Sequence, residues 1–297
     1  VSGAAALRGA LQSARPSPYD IAFLILWMLS LVALAAGGDR FDLIQGVVVG
    51  AVFAGLYALT RRFTDGPVAC DAPRRVALGA MVVAAVLLLT MIEVLRRDAG
   101  GVVGAWSALH WGITTRLVPL VRMLDAESLD NTVRYVILPG LLLVALGWRA
   151  RHFGFGRSRR GTLAALLTWS ALPLALYGGA ALAIGHGKPG ALAHRFFIDV
   201  FRNGYAEEIF FRGMLMTLTV RAFGVSAGNV AQALVFGLWH LGADLRDVHG
   251  VVWIALADAM GTQAVAGYFF GLLTLRTGNV LAAGAAHTLY DGGAVFV

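Results

Sequence analysis

The sequence predicts an all-α protein, a polytopic transmembrane helical bundle of about eight or nine spans. Three observations carry this expectation. Of the 297 residues 58% are hydrophobic and only 14% are charged, and the mean hydropathy is +0.73. A water-soluble domain must cover its surface with polar side chains and does not reach such a balance. The apolar residues fall into runs long enough to cross a hydrocarbon core of about 30 Å. The arginines behind the net charge of +7 sit mainly in the short connections between those runs. That pattern fits the basic bias of cytoplasmic loops and speaks against nucleic acid as the partner.

Taken in order, residues 1–18 are small, weakly basic and broken by Pro16 and Pro18, and read as a mobile lead-in. The first apolar run, 19–37, is long enough to span, so a membrane helix is expected there and not a cleaved signal. Asp39, Arg40, Phe41 and Asp42 form a tight connection to a second span at 43–60. A basic loop with Arg61, Arg62, Arg74 and Arg75 follows, then a third span at 76–95. Residues 99–131 are apolar but interrupted by His110, Arg116 and Arg122 and closed by Asp125, Glu127 and Asp130. This segment is expected to lie in the interface or re-enter, because a span here would put the two most basic loops on opposite sides. The fourth span is 132–148. Arg149, Arg151, Arg157, Arg159 and Arg160 then make the most basic loop, and the fifth span is 162–184. Further spans are expected at 196–223, 225–243, 251–275 and from 280 to the end. With the arginine loops inside, the N-terminus is inside and the C-terminus outside. The single cysteine, Cys70, excludes an internal disulfide framework or a cysteine metal cluster, and no base stands near it in sequence.

Three short motifs interrupt the last spans. Glu207, Glu208 and Arg212 stand inside the 196–223 run. Ionisable groups at membrane depth are costly unless paired or wetted, so their presence points to function. Glu208 and Arg212 are four apart and share a helix face, while Glu207 is turned about 100° from Glu208. One carboxylate can therefore be neutralised by the arginine while the other stays free for chemistry. A buried ion pair with a spare carboxylate is the plainer alternative. Phe236 and His240, and His287 and Asp291, are likewise four apart on later spans. A lone intramembrane histidine most often hydrogen-bonds a neighbouring helix. Two of them beside three carboxylates suggest a converging polar site. Gly237, Gly267 and Gly271 would let those helices approach closely.

Glu-Glu-x-x-x-Arg at 207–212, Phe-x-x-x-His at 236–240 and His-x-x-x-Asp at 287–291, in that order, resemble the CPBP family. This family holds the type II CAAX prenyl endopeptidases and the bacteriocin-processing or immunity proteins called Abi. Gly271 and the Leu275-Arg276-Thr277-Gly278 stretch before the last helix are similar too. The resemblance covers about residues 160–297. It divides the chain into accessory membrane helices at 1–160 and a catalytic helical bundle at 161–297. It implies an intramembrane endopeptidase in which Glu207 takes a proton from water, His240 holds that water, and His287 with Asp291 stabilises the oxyanion. Glu208 and Arg212 would be the supporting pair. The family's last motif usually ends in asparagine, which donates a hydrogen bond that an ionised Asp291 cannot. Either Asp291 carries a proton, or it only orients His287, or other groups serve that step.

No cofactor and no metal are expected, since the His-Glu-x-x-His and His-x-x-Glu-His signatures are absent. A metal-dependent hydrolase with Glu207, His240 and His287 as ligands is the alternative enzyme. A non-catalytic immunity or scaffold protein and a proton-coupled transporter are the alternatives outside enzymes. The expected partners are a peptide or protein substrate and the lipid bilayer. The alanine-, glycine- and arginine-rich composition suggests a bacterial inner membrane.

Overall fold

The computed structural model describes residues 16–68, 73–96, 100–179, 183 and 189–294. The expected lead-in up to residue 15, Cys70 and the connection at 184–188 lie outside these. Among the described residues there is no strand, and the fold is a helical bundle. Its helices are α1 (Pro18–Gly37), α2 (Arg40–Thr60), α3 (Val76–Leu95), α4 (Gly101–Leu117) and α5 (Ala126–Ala145). α6 runs Thr162–Pro173 and continues as a π-wound turn at Leu174–Gly178. α7 runs without a break from Pro189 to Phe223, α8 is Val225–Asp247, α9 runs from Val252 to Thr277, and α10 is Leu281–Ala294.

Local chemistry sets the first boundaries. Ser17 Oγ accepts from the Asp20 amide and Asp20 accepts from the Ser17 amide, which caps α1. Gly38, at φ +75°, ends it in the left-handed region. Asp39 then caps α2 by accepting from the Asp42 amide. The connection foreseen at 39–42 thus shrinks to two residues, because one side-chain cap is enough to restart the helix at Arg40.

α1, α2, α3 and α5 are each long and apolar enough to cross a membrane by length and composition. The C-terminal helices dilute their apolar runs with the polar side chains described below, and α10 has only 14 residues.

The connections gather at two ends. At one, Arg159 donates to Gly66 O at 2.8 Å and pairs with Asp65, and Asn279 donates to Ser158 at 3.0 Å. Ser17 and Ser226 share a hydrogen bond there too. The two basic loops, 61–68 and 149–160, therefore meet at the same end, as the arginine distribution required. At the other end Gly37 sits against Trp253 and Ile254, and Gly242 sits against Val94 and Leu95.

α4 belongs to that second end. His110, in its middle, contacts Glu93 two residues before the end of α3 at 3.1 Å. It also contacts Asp130 near the start of α5 at 2.8 Å, and Thr114 donates to the same carboxylate. The middle of α4 is thus docked on the ends of α3 and α5. Val102, Leu109 and Trp111 on its outer side are exposed, which suits an interfacial helix. The fourth span starts earlier than its apolar run, at Ala126, because Asp125 caps it through the Ser128 amide.

The larger core clusters draw on the whole chain. Phe53 and Trp169 pack with Phe270 and Ala286. Val83, Tyr135 and Trp148 pack with Phe210, Phe211 and Phe236.

In a Cys70→Ser background, single cysteines at Arg62 and Ser158 should react with a membrane-impermeant maleimide from one face, and a cysteine at Asp247 from the other. Labelling of positions 62 and 158 from opposite faces would break this arrangement.

Candidate active site

α7 is not a regular helix where it carries the charges. It is π-wound at Val200–Gly204 and again at Ile209–Leu215, with one α-turn, Tyr205–Glu208, between them. π-wound turns loosen the backbone ladder and recur at functional sites. The carbonyls this frees must be met inside the protein, since lipid offers no donor. α5 meets them: Asn131 donates to Arg202 O at 2.7 Å and Thr132 to Phe201 O at 2.9 Å. Arg202 in turn pairs with Asp125 and Glu127. The second π-wound stretch rests on the turn at Ala150–Phe153, where Gly213 lies against the Phe153 backbone.

α7 then packs on α10 through Gly204, where a Cβ would run into the Thr288 side chain. That close approach brings the two charged helices together. Glu207, Glu208, Arg212 and His287 are 5%, 0%, 1% and 5% exposed. Glu208 Oε1 lies 2.8 Å from Arg212 Nη1 and 2.9 Å from His287 Nδ1. The expected Glu208–Arg212 pair is formed, and Glu208 also holds the histidine of another helix. His287 Nε2 lies 3.2 Å from Asp291 Oδ2 and 3.9 Å from Glu207 Oε2. Facing carboxylate oxygens on both nitrogens suits a ring that donates from both, an imidazolium. It does not suit a metal ligand, which needs a free nitrogen lone pair.

Glu207 Oε2 has no hydrogen-bond partner among the described residues. His240 Nδ1 donates to Phe236 O at 2.8 Å, which leaves Nε2 as an acceptor. The aromatic walls tie the parts together. The Phe236 ring lies between His240 and His287, Phe270 stacks on His287 at 5.3 Å, and Arg212 sits 4.0 Å over Phe236. Gly267, expected as a close-approach residue, packs against Phe236, and Gly237 against Ala259 O.

Sequence reasoning missed two residues here. Asn203 donates from Nδ2 to Asp291 Oδ2 at 3.2 Å, and the buried Asp199 lies against Gly292, next to Asp291. A signal was present, since 199, 203 and 207 are spaced by four and share a helix face. A lateral groove of about 460 Å³, walled by Phe41, Val48 and Phe53 of α2, Leu176 of α6 and Ala266 of α9, ends at Tyr290 and Asp291. It is largely apolar and reaches the site from the side of the bundle.

Residues 189–293 match the family model described as Type II CAAX prenyl endopeptidase Rce1-like. The match takes in α7 to α10 and with them Glu207, Glu208, Arg212, His240, His287 and Asp291. No curated protein and no solved structure matches the chain.

Arg212→Ala leaves Glu208 buried with one partner fewer and should cost about 3–5 kcal/mol, read as a lower melting temperature of the purified protein. Gly204→Val should part α7 from α10 and lower both melting temperature and activity. An R212A protein that melts like wild type would mean that the pair carries no such weight.

Proposed function

With residues 189–293 matching the Rce1-like family model of type II CAAX prenyl endopeptidases, we propose that this integral membrane protein is a glutamate-dependent intramembrane endopeptidase. The observation that carries the reading is the division of labour between adjacent glutamates. Among the described residues neither Oε2 has a hydrogen-bond partner, but Glu208 is anchored through Oε1 by Arg212 and His287, whereas Glu207 Oε2 lies 3.9 Å from His287 Nε2.

In the proposed cycle Glu207 takes a proton from a water whose other hydrogen is held by His240 Nε2. The resulting hydroxide adds to the scissile carbonyl. His287, a cationic donor, meets the oxyanion, and the energy of such preorganised donors falls mostly on the transition state. Glu207 then returns its proton to the leaving amine, the ordinary reversal of a general base.

The missing asparagine of the last motif finds a counterpart on another helix. Asn203 presents an amide beside Asp291, and one of its N–H groups remains for the oxyanion after the other is given to Asp291 Oδ2. Asp291 is then a positioning residue for His287 and Asn203.

The apolar lateral groove suits a substrate that approaches through the bilayer, its apolar part against α2, α6 and α9 and its scissile bond at Asp291. His240 is seven residues from the end of α8 that lies away from the arginine loops. The site therefore leans toward that end, the outer one if the arginine loops are cytoplasmic. A bacterial inner membrane fits the composition. The metal-dependent alternative is disfavoured by the carboxylate on each nitrogen of His287.

Purified Glu207→Gln should stay folded and lose about 100- to 10,000-fold in turnover of a membrane-associated peptide substrate. Wild-type turnover in this variant would sink the reading. Asp291→Asn should keep activity within about tenfold of wild type, while Asn203→Ala should lower kcat by about 10²-fold or more with little change in KM. Activity should also survive chelators, and zinc at one per chain, lost together with activity on chelation, would favour the metal mechanism.

A further inference from the structure

Beneath the basic loop lies a second cavity, of about 250 Å³, separated from the lateral groove. Arg151, Arg157 and Arg159 stand around it, Arg212 and Thr217 of α7 line one side, and Thr274 of α9 lines another. Among the described residues no aspartate or glutamate lines it. Four guanidinium groups converge on one small space; Arg212 is paired with Glu208 and Arg159 with Asp65, but among the described residues no carboxylate lines the space itself, so its walls are basic where the dielectric is low.

Two buried polar side chains are left unsatisfied here. Thr274 is 5% exposed, and its hydroxyl has no hydrogen-bond partner. Thr277 on the same helix shows the usual alternative, donating to Leu273 O. Arg212 Nη1 lies 2.8 Å from Glu208 Oε1 as an ion pair, but none of its three nitrogens has a hydrogen-bond partner among the described residues. At the mouth, Arg159 is committed to Asp65, Gly66 O and Leu275 O, while Arg157 has no ion-pair partner among the described residues. Buried polar groups are normally paired, and two residues with unpaired ones in the lining of one basic cavity point to a ligand.

We propose that this cavity binds a phosphate group, held between the Arg157 guanidinium and the Thr274 hydroxyl in the field of Arg212. Guanidinium favours phosphate because its planar fork matches two phosphate oxygens. Met216, Val220 and Leu275 give the cavity an apolar wall beside its arginines. The spacing of Arg212, Met216 and Val220 carries that wall along two turns of α7, about 12 Å. A phosphate with an apolar stem, the headgroup of an anionic lipid at the arginine-rich face, meets both surfaces. Arg212 has one edge on Glu208 and another on this cavity. The anion therefore acts on the guanidinium that also holds the Glu208–His287 pair.

The test is one of binding and does not depend on any protease assay, so its failure and that of the proposed mechanism are distinguishable. The full chain in neutral detergent is titrated with inorganic phosphate by calorimetry at constant ionic strength. In parallel it is melted in phosphatidylcholine nanodiscs with and without phosphatidic acid. Arg157→Gln and Thr274→Val are compared with Arg62→Gln, a change of the same charge at the same end but off the cavity. Saturable binding is expected, weakened about tenfold or more by R157Q and T274V, the scale of one charge-assisted hydrogen bond, and unchanged by R62Q. Stabilisation by phosphatidic acid alone assigns the phosphate to a lipid, and equal stabilisation by inorganic phosphate assigns it to a small anion. Ligand-free melting of T274V within a few degrees of wild type shows that its loss is one of binding. Absence of saturable binding to either probe overturns the proposal. So does equal weakening by R62Q and R157Q, which would mean diffuse attraction to a basic face.

Discussion

The carboxylate of Glu208 is the constraint on which the rest of the site depends. It is fully buried, forms an ion pair with Arg212 on its own helix and accepts from His287 on α10. A single ionised carboxylate at this depth would be expensive, and a single arginine equally so. Together they are tolerable, and the histidine adds a contact that no apolar residue could replace. The pair fixes more than charge. Because Glu208 and Glu207 are successive residues, holding one determines the direction of the other, and Glu207 is left facing His287 with an unpaired oxygen.

Keeping Glu208 in place takes backbone as well as side chains. The two π-wound stretches of α7 flank the Tyr205–Glu208 turn, and each is received by a segment from earlier in the chain. Asn131 and Thr132 occupy the loosened carbonyls on one side, and the Phe153 backbone fits against Gly213 on the other. The helices before residue 160 are therefore part of the support of the site. Phe53 of α2 and Tyr135 of α5 pack into the cores that also hold Phe270 and Phe210. Their apolar outer faces meet lipid, and their inner faces hold the C-terminal helices in register.

The aromatic residues take up a second task. Phe236 touches Arg212, His240 and His287, and Phe270 stacks on His287. Ring faces favour cations, and ring bulk keeps lipid and bulk water from the polar groups. Small residues make room for this. Gly267 admits Phe236, and Gly204 admits Thr288. Polar groups that would each be costly in a membrane are thus gathered into one place, where they pair with one another while Glu207 Oε2 and Glu208 Oε2 keep no hydrogen-bond partner among the described residues.

The sequence by itself determined the helical membrane class, the pairing of Glu208 with Arg212 and the facing of His287 and Asp291. Each follows from hydropathy or from a spacing of four within one helix, and both are local quantities. It also placed the two arginine loops at the same end, because charge bias acts on each connection separately. The rest was decided by contacts between helices. That Glu208 reaches His287 depends on Gly204 meeting Thr288 across 84 positions, and no periodicity within α7 encodes it. The π-winding around Glu207 depends on donors from α5, and the asparagine beside Asp291 comes from α7, not from α10. α4 is docked at its end of the bundle because His110 finds Glu93 and Asp130 at once. Such pairings are chosen by packing distance, which the order of residues along one helix does not record.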